Sequence, residues 1–496
     1  MKKQTGITLV SLVITIIVML ILAGVSLSMV TGDGSVLSQA IGATEQTNIG
    51  TVKDEISLAW SSAKAQLIVD DASGAVNDSD YFNKDALTGR LNNGEVVKID
   101  YKKTDKSELI YKLKEEEFYK VLIENNGEIV SVEKIDYIEY IEVTTLDEIQ
   151  TAIAEGKQYL RLLNGITIST NVEIVPSKKV EIVGGDASFS MFTITDAGSL
   201  TLKNIVLDGE NNWKINISDY ANLSNPSSME YNKKYEDIPL INSTGIVKFG
   251  EGCAIKRYYS QPETNYGTPI IKVNGESAKL IIDSLEVYNC IGQTAFVTGG
   301  ECIINNINAH DNWFFGNNAG MIVIKNADMT FNNGTIQNNV MSMRDMGMMI
   351  SMGSSNIILN NCTIKNNYST KNGSNTNGAL IGTRDGGKIE MNGGSIENNI
   401  GYRAGAISTR WNGNDQIKLN AGTIKNNTAA IDSFKYISIF SDAATGTITI
   451  SDTMVIEDKV GVRKGTLINN GTINGDVEKM GGSFVNNGTV TGSIIE

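Results

Sequence analysis

The sequence predicts a mainly β chain: a parallel β-solenoid preceded by a long amino-terminal helix and a small α+β element. One phrase recurs four times, as MTFNNGTIQNN, IILNNCTIKNN, IEMNGGSIENN and IKLNAGTIKNN, from Met329, Ile357, Ile389 and Ile417. A second phrase runs in step with it, as GMIV, GMMI, GALI and GAIS, from Gly320, Gly347, Gly378 and Gly405. Gly and Asn interrupt the chain too often for helical repeats, which need runs of about ten or more residues with 3.6-residue periodicity. Short strands separated by turns are the elements that fit.

The apolar anchors of the first phrase set the length of one coil. They follow one another at 28, 32 and 28 residues and are Ile336, Ile364, Ile396 and Ile424. A unit of this length has one apolar stripe and cannot bury it alone, so successive units stack in register around a continuous core. Asn360 and Asn420 occupy equivalent turns, and asparagines stacked in this way form hydrogen-bonded ladders.

This repeat pattern resembles that of the right-handed parallel β-helix proteins, the pectin-lyase-like group. It is most similar to the Asn/Gly-rich versions found in bacterial surface proteins. The resemblance covers residues 143–496 and implies a right-handed parallel β-helix there. It implies no single activity, because this fold carries lyases, hydrolases and inert adhesins alike.

The amino terminus predicts where the protein is found. Lys2 and Lys3 precede Gly6, and the 24-residue run Ile7–Val30 contains no charged residue. A helix of that length, at about 1.5 Å per residue, spans a bilayer. Positive charge on the short leading segment places that end inside the cell. We therefore expect a single-pass membrane helix with the remaining chain outside the cell.

The sequence KKQTG followed by ITLVSLVITIIVMLILAG resembles the leader of type IV pilins and pseudopilins. The resemblance implies that a prepilin peptidase removes the leader, residues 1–6, by cutting between Gly6 and Ile7, and that Ile7 becomes an N-methylated amino terminus. The family usually has a glutamate at the fifth mature position, which pairs with a neighbouring subunit during assembly. Here that position is Ser11, so this ion pair cannot form. An uncut signal anchor and assembly with pilin subunits both stay open as alternatives.

Between the leader and the solenoid the sequence predicts a pilin-like helix, residues 7–69, and a small α+β element, residues 70–142. Apolar residues at intervals of three and four predict an amphipathic second half of the helix; they are Ile49, Val52, Ile56, Ala59, Ala63 and Leu67. The turn Asn125-Asn126-Gly127 predicts a hairpin. A short helix over residues 144–156, capped by Thr144 or Thr145, is expected to cover the open end of the solenoid.

Composition excludes one class of partner and most reactive sites. The formal charge is −14, and the excess lies in residues 1–319, because residues 320–496 contain 15 Lys and Arg against 14 Asp and Glu. A basic nucleic-acid footprint is absent. Metal-ligand spacing is also absent, and we expect no cofactor. The cysteines are interpreted as small core residues rather than disulfides; they are Cys253, Cys290, Cys302 and Cys362.

The sequence lacks the residues that glycoside hydrolysis would need. Hydrolysis on this fold requires carboxylates that face one groove, and the clustered aspartates and Gly-His-Gly of the β-helix polygalacturonases do not occur here. The single histidine, His310, is interpreted as a solvent-facing turn residue. We therefore predict no catalytic residues.

The strongest local constellation is a charged one. GALIGTRD from Gly378 and GAISTRW from Gly405 align, so that Thr-Arg falls at similar places on adjacent coils. A cluster on one face would then contain Arg384, Asp385, Arg410, Trp411 and Asp415. Arginine binds carboxylates through two parallel hydrogen bonds and stacks on aromatic rings, which suits an acidic sugar. We predict a glycan-binding patch here, with an inter-coil salt-bridge ladder as the alternative.

These observations predict a protein of the bacterial cell membrane whose extracellular β-helix acts in adhesion. The expected partners are the membrane, the prepilin peptidase and an acidic polysaccharide or other surface glycan. Two other functions stay open. One is a carbohydrate-active enzyme, a polysaccharide lyase or glycoside hydrolase, on a β-helix scaffold. The other is a minor pilin or pseudopilin of a pilus or secretion system.

Overall fold

The computed structural model describes residues 36–70, 84–102, 106–114, 117–124, 126–184, 189–210, 238–259, 268–316, 320–343, 348–369, 379–411, 413–430 and 437–496. The predicted leader and membrane run, with Gly6, Ile7 and Ser11, lie outside these residues. Within them, no helix is both long enough and apolar enough to cross a membrane. The protein is mainly β and divides into two compact units, Met1–Glu139 and Tyr140–Glu496.

The first unit contains the predicted amphipathic helix, Val36–Asp70, and a short helix, Lys84–Thr88. Residues three and four apart lie on one face of a helix. The side chains buried on that face, as predicted, are Val52, Ile56, Ala59 and Ala63. They share one core with apolar residues of a small sheet in the same unit.

The small sheet consists of four antiparallel strands in sequence order: Glu95–Asp100, Ser107–Lys114, Glu117–Ile123 and Ile129–Ile135. The last two strands pair as the predicted hairpin requires, with Leu122 opposite Ser131. Asn126 and Gly127 lie between them, and Asn125 lies outside the described residues. Gly127 has a φ of 92°, a left-handed conformation that glycine adopts without strain.

A capped helix, Leu146–Ala154, follows the first strand of the second unit and lies within the predicted range. The backbone N–H of Glu148 donates to the Thr145 hydroxyl at 3.2 Å, and the Glu148 carboxylate accepts from the Thr145 N–H at 3.2 Å. This reciprocal capping box satisfies two backbone donors that the first helical turn leaves without partners. Ile149 and Ala152 are buried in the same core as the coils that follow.

Parallel strands on three faces build the second unit, as in a β-helix solenoid. We name the faces A, B and C in the order in which each coil passes through them. Four long strands bend at a corner and contribute their first half to face A and their second half to face B: Asp328–Gln337, Asn356–Lys365, Gln416–Lys425 and Thr447–Ile456.

The remaining strands are shorter. Face A also contains Asn171–Ile174, Ser199–Leu202, Ile246–Phe249, Lys279–Ile282, Glu301–Ile304, Lys388–Met391, Thr466–Asn469 and Ser483–Asn486. Face B also contains Ile141–Val143, Tyr159–Leu162, Val180–Gly184, Ile205–Asp208, Ala254–Lys256, Leu285–Tyr288, Ile307–His310, Gly394–Glu397, Thr472–Ile473 and Thr489–Val490.

Face C contains Ile166–Ile168, Phe192–Ile194, Ile241–Ser243, Pro269–Asn274, Gln293–Thr298, Ile322–Lys325, Met349–Met352, Ile381–Arg384, Ile407–Trp411, Ile437–Ala443, Lys459–Val462, Val477–Lys479 and Ile494–Ile495. A short fourth sheet contains Trp313–Gly316, Val340–Met343, Tyr368–Ser369, Ile400–Gly401 and Thr428–Ala429. The sequence did not predict this short sheet, because strands of two to four residues are too short to show a period.

Both repeated phrases lie in register, as predicted. On face B, each anchor isoleucine pairs with that of the next coil, and all are fully buried: Ile336, Ile364, Ile396 and Ile424. The second phrase forms neighbouring strands of face C. Near the carboxy end the coils shorten to 17 residues, with Ile473 opposite Val490. The four cysteines are free and buried, as predicted.

The two asparagines that end each first phrase have different roles. The first adopts a left-handed backbone with φ between 54° and 58° at the corner that follows face B; these residues are Asn338, Asn366, Asn398 and Asn426. Asparagine tolerates this conformation better than most side chains. The second asparagine is buried and belongs to a hydrogen-bonded ladder.

This buried ladder consists of Asn312, Asn339, Asn367, Asn399 and Asn427. Each Nδ2 donates to the Oδ1 of the next asparagine at 2.9 to 3.0 Å. The last, Asn427, donates to Asp458 at 3.0 Å. An ionised carboxylate suits the end of the ladder, because it accepts hydrogen bonds and has no proton to donate further.

A second ladder lies on the more exposed corner between faces A and B and donates in the opposite direction along the solenoid. It runs through Asn420, Asn392, Asn360, Asn332 and Asn305 with distances of 2.7 to 3.1 Å. It ends on Asp283, which accepts from Asn305 at 2.8 Å and pairs with Lys248 at 2.9 Å. The predicted equivalence of Asn360 and Asn420 is confirmed.

Candidate binding surface

The outer side of face A presents side chains in straight rows, because alternate residues of a strand point to opposite sides and the coils are in register. One row contains Asp328, Asn356, Lys388 and Gln416. A second row, two residues further along each strand, contains Thr330, Ile358, Glu390 and Lys418. Since neighbouring strands are about 4.8 Å apart, outward side chains repeat at that spacing along the solenoid, and all of them in these two rows except Ile358 are polar or charged.

A groove of about 390 Å³ runs across these rows. Its lining residues are Asp328, Ser354, Asn356, Lys388, Ile389, Glu390, Gln416 and Lys418. Two carboxylates and two ammonium groups balance one another, and Lys388, Gln416 and Lys418 are exposed. The groove therefore offers hydrogen-bond donors and acceptors with no net charge, which suits an extended chain rich in hydroxyl groups.

The predicted charged patch lies on the outer side of face C. Thr383 pairs with Thr409 and Arg384 with Arg410 on adjacent strands, so the aligned Thr-Arg pairs do lie side by side. The Nε of Arg384 is 3.1 Å from a carboxylate oxygen of the exposed Asp385. Trp411 ends the same strand as Arg410, and its side chain lies outside the described part of the structure.

Burial separates the members of this patch. Arg410 is only 4% exposed and Asp415 is fully buried. Asp415 accepts from the backbone N–H of Gly386 at 2.7 Å and from that of Arg410 at 3.1 Å. Burial raises the pKa of Asp415, and these hydrogen bonds offset only part of the rise. Asp415 therefore connects its own coil to the preceding coil, which contains Gly386. Of the five predicted residues, Asp385 has the most exposed described side chain, and a glycan-binding role stays a prediction.

A second set of charges, which the sequence did not reveal, adjoins the patch. Asp442 follows Arg410 in the same outward row of face C and is 6% exposed. Arg463 and Arg403 approach it, with Nε to Oδ1 at 3.5 Å and Nη1 to Oδ2 at 4.0 Å. Aligning the stretch ISIFSDA with GAISTRW would have placed Asp442 in the arginine column. The match was not recognised because ISIFSDA begins with Ile-Ser, where the other stretch has Gly-Ala.

The sequence also did not predict an ion-pair network on face B, at the strands Ile205–Asp208 and Ala254–Lys256. The fully buried carboxylate of Asp208 accepts from Nε of Arg257 at 2.8 Å and pairs with Lys256 at 3.1 Å. Burial alone would raise the pKa of Asp208, but the hydrogen bonds from Arg257 and the Glu210 backbone outweigh burial and lower it. Lys256 also bonds Glu181 at 2.7 Å. Asp208 and Glu210 of this network immediately precede residues 211–237, which lie outside the described residues.

Three further contacts tie this network to the start of the second unit. Arg161 forms two hydrogen bonds to Glu210, at 2.8 and 2.6 Å. The same guanidinium lies 4.9 Å from the ring centre of Tyr140, within cation–π range. The Tyr140 hydroxyl donates to Glu181 at 2.8 Å. Each described carboxylate in this network contacts a cation or a hydroxyl group, and its partners come from different coils. The network therefore holds neighbouring coils together.

His310 is not the solvent-facing turn residue that we expected. It ends a strand of face B and its side chain is 23% exposed. Its ring stacks on that of Tyr288, with centres 5.5 Å apart, and its Nδ1 is 2.8 Å from Asp311. The in-register neighbour on the preceding coil, Tyr288, covers the histidine, and a single sequence phrase could not show that neighbour.

Within the described ranges, no group of three or more His, Cys, Asp or Glu side chains could hold a metal ion. Searches against protein-family models, curated proteins and solved structures each found no match to this chain.

Proposed function

We propose that this chain displays a right-handed β-helix on the outside of a bacterial cell and binds an extended glycan there without cleaving it. In this proposal a pilin-like stem anchors the chain in the membrane. The groove on face A is the observation that carries the binding function. It crosses several coils and presents lysine, glutamine, asparagine and carboxylate side chains in rows.

The regular spacing of the rows supports a polymeric ligand. A row places one outward side chain on each coil, and all but Ile358 of the eight side chains in the two rows are polar or charged, so that successive units of a long chain can form hydrogen bonds at regular intervals. Each contact is weak, but several contacts on one rigid scaffold add their free energies, and many copies on one cell raise the avidity further. A β-helix also requires no rearrangement to bind, since its strands are already fixed by their neighbours on both sides.

Removing the two groove lysines is expected to weaken glycan binding about tenfold or more. A hydrogen bond to a charged group contributes about 1.5–3 kcal/mol, and a tenfold change in Kd corresponds to about 1.4 kcal/mol. The test compares the full-length chain, purified in detergent, with Lys388→Ala/Lys418→Ala on an array of neutral and acidic glycans.

The matched control is Lys272→Ala/Lys178→Ala, which removes two exposed lysines far along the sequence from the groove. This control should bind like the parent. The proposal would be contradicted if the parent protein bound no glycan on the array. It would also be contradicted if the groove variant and the parent bound equally.

The membrane anchor makes a separate prediction. If the leader is processed as in pilins, the mature protein begins at Ile7, and Gly6→Leu leaves the leader in place. Amino-terminal sequencing of membrane-extracted protein decides this. A terminus at Met1 or Lys2 in the parent would leave an uncut signal anchor, and display on the cell surface would then have to be tested by protease accessibility of intact cells.

A further inference from the structure

The exposed asparagine ladder between faces A and B uses only part of its hydrogen-bonding capacity. A side-chain amide has two N–H donors and an oxygen that accepts two hydrogen bonds. Within the described residues, the Asn360 amide donates once, to Asn332 at 2.7 Å, and accepts once, from Asn392 at 3.1 Å. The Asn392 amide also donates once and accepts once, from Asn420 at 2.8 Å. Each of these two amides thus retains one N–H and one acceptor site that the described chain does not use.

A ligand can reach these groups. Asn392 is exposed, and Asn332 and Asn360 are half-buried. The two N–H bonds of an amide diverge, so that when one points along the ladder to the next asparagine, the other points away from it. Neighbouring strands are about 4.8 Å apart, and the corner therefore offers one amide to a ligand on each coil.

An apolar row lies directly beside the ladder, on the outer side of face A. It consists of the residues that stand two positions before successive ladder asparagines on the same strands, which are Ile303, Thr330 and Ile358. Their side chains are half-buried, while the residues between them and the ladder point into the core. Methyl groups are therefore accessible next to amides on several coils in succession. An acetamido group has the matching parts, an amide and a methyl group, side by side.

The ladder and the apolar row also adjoin the groove on face A. Glu390 lines the groove and accepts from Nδ2 of Asn420 at 2.8 Å. Asn356, another groove residue, stands on the same strand as Ile358 and Asn360. One extended ligand can therefore contact the groove, the apolar row and the ladder together.

We propose that the glycan bound in the face A groove is N-acetylated, and that the exposed ladder and the apolar row beside it bind its acetamido groups. This inference rests on the proposed function and names the class of its ligand. The acetamido oxygen accepts from an asparagine N–H, the acetamido N–H donates to an asparagine Oδ1, and the methyl group packs on Ile303 or Ile358.

Two other properties of the surface bear on the ligand. A peptide also carries amides, but its residues follow one another at about 3.3 Å, out of step with the spacing of about 4.8 Å between coils. A sugar unit is longer than a peptide residue, so the coil spacing favours a glycan. A glycan that carries carboxylates as well as acetamido groups would contact Lys388 and Lys418 in addition.

The test is titration calorimetry on the full-length chain, purified in detergent, with two β-1,4-linked hexamers. The hexamers of N-acetylglucosamine and of glucose are both uncharged and differ only in an acetamido group in place of a hydroxyl. We expect the acetylated hexamer to bind at least tenfold more tightly. Asn360→Ala/Asn392→Ala should weaken its binding at least tenfold, and Ile358→Ser at least threefold. The control Asn274→Ala removes an exposed asparagine of face C and should leave binding unchanged.

The proposal is overturned if the two hexamers bind equally, if neither binds, or if either variant binds the acetylated hexamer like the parent. It is also overturned if a hexaglycine peptide with blocked ends binds as tightly as the acetylated hexamer, because the ladder would then recognise amides of a peptide. Circular dichroism checks the fold of each variant, and Asn392→Leu alone replaces the double variant if that does not fold.

Failure of this inference and failure of the proposed function give different results. Equal binding of the two hexamers, lost in Lys388→Ala/Lys418→Ala, would sustain the groove and remove the acetamido site. If the parent bound neither hexamer and no glycan on the array of neutral and acidic glycans, both the proposed function and this inference would be removed.

Discussion

Replacing Ile396 by aspartate is expected to destabilise the solenoid by about 4 kcal/mol, because a carboxylate would enter an apolar stack with no partner. Ile396 is fully buried and lies between Ile364 and Ile424 of the neighbouring coils. The replacement removes a branched apolar side chain and places one negative charge between the apolar side chains of the two neighbouring coils. Thermal melts followed by circular dichroism should show a large drop in Tm, together with loss of cooperativity.

The control for this experiment is Gln416→Asp, which introduces the same carboxylate at an exposed position of face A opposite Lys388. We expect its Tm to stay close to that of the parent. A melt of Ile396→Asp that matches the parent would show that the assigned register is wrong, since a shift by one residue turns every buried side chain outward.

Replacing Asn399 by leucine is expected to cost about 3 kcal/mol or more, although leucine is the more apolar residue. Asn399 accepts from the backbone N–H and the side chain of Asn367 at 3.0 and 2.9 Å, and donates to the Ile364 carbonyl at 2.9 Å. It also donates to Asn427 at 2.9 Å. Each buried polar group left without a partner costs about 1–3 kcal/mol, and leucine supplies none of these partners.

The exposed ladder provides the matched control. Asn392 occupies the middle of that ladder, donating to Asn360 at 3.1 Å and accepting from Asn420 at 2.8 Å, but it is exposed. Water replaces these bonds in Asn392→Leu, so we expect a loss below about 1 kcal/mol. Equal losses for the two variants, measured by denaturant unfolding, would mean that burial does not set the strength of the ladders.

The coil register could be predicted because it depends on the local pattern. Ile336, Ile364, Ile396 and Ile424 stand at one offset in each phrase, and only one register buries them all. The equivalence of Asn360 and Asn420 followed from the same alignment. The direction of each ladder did not, because its ends, Asp283 and Asp458, stand where the phrase is no longer recognisable.

The candidate sites were less predictable, because they depend on which side chains cover one another. The alignment placed Arg384 beside Arg410 correctly. It could not show that Arg410 is buried, since burial depends on side chains of other parts of the chain, which the aligned phrases do not contain. The groove was missed for a related reason: Asn356, Lys388 and Gln416 each precede a repeated phrase as unremarkable polar residues, and only stacking turns them into a row.

Binding without cleavage is the central claim, and one incubation tests it most directly. Size-defined polygalacturonate, alginate and glycosaminoglycan chains are mixed with the full-length protein, and both retention in affinity electrophoresis and final chain length are measured. We expect at least one acidic chain to be retained, with weaker retention by Lys388→Ala/Lys418→Ala, and every chain to keep its original length. Shortening of any of these chains by the parent protein would contradict the account and assign the β-helix to a polysaccharide-cleaving enzyme.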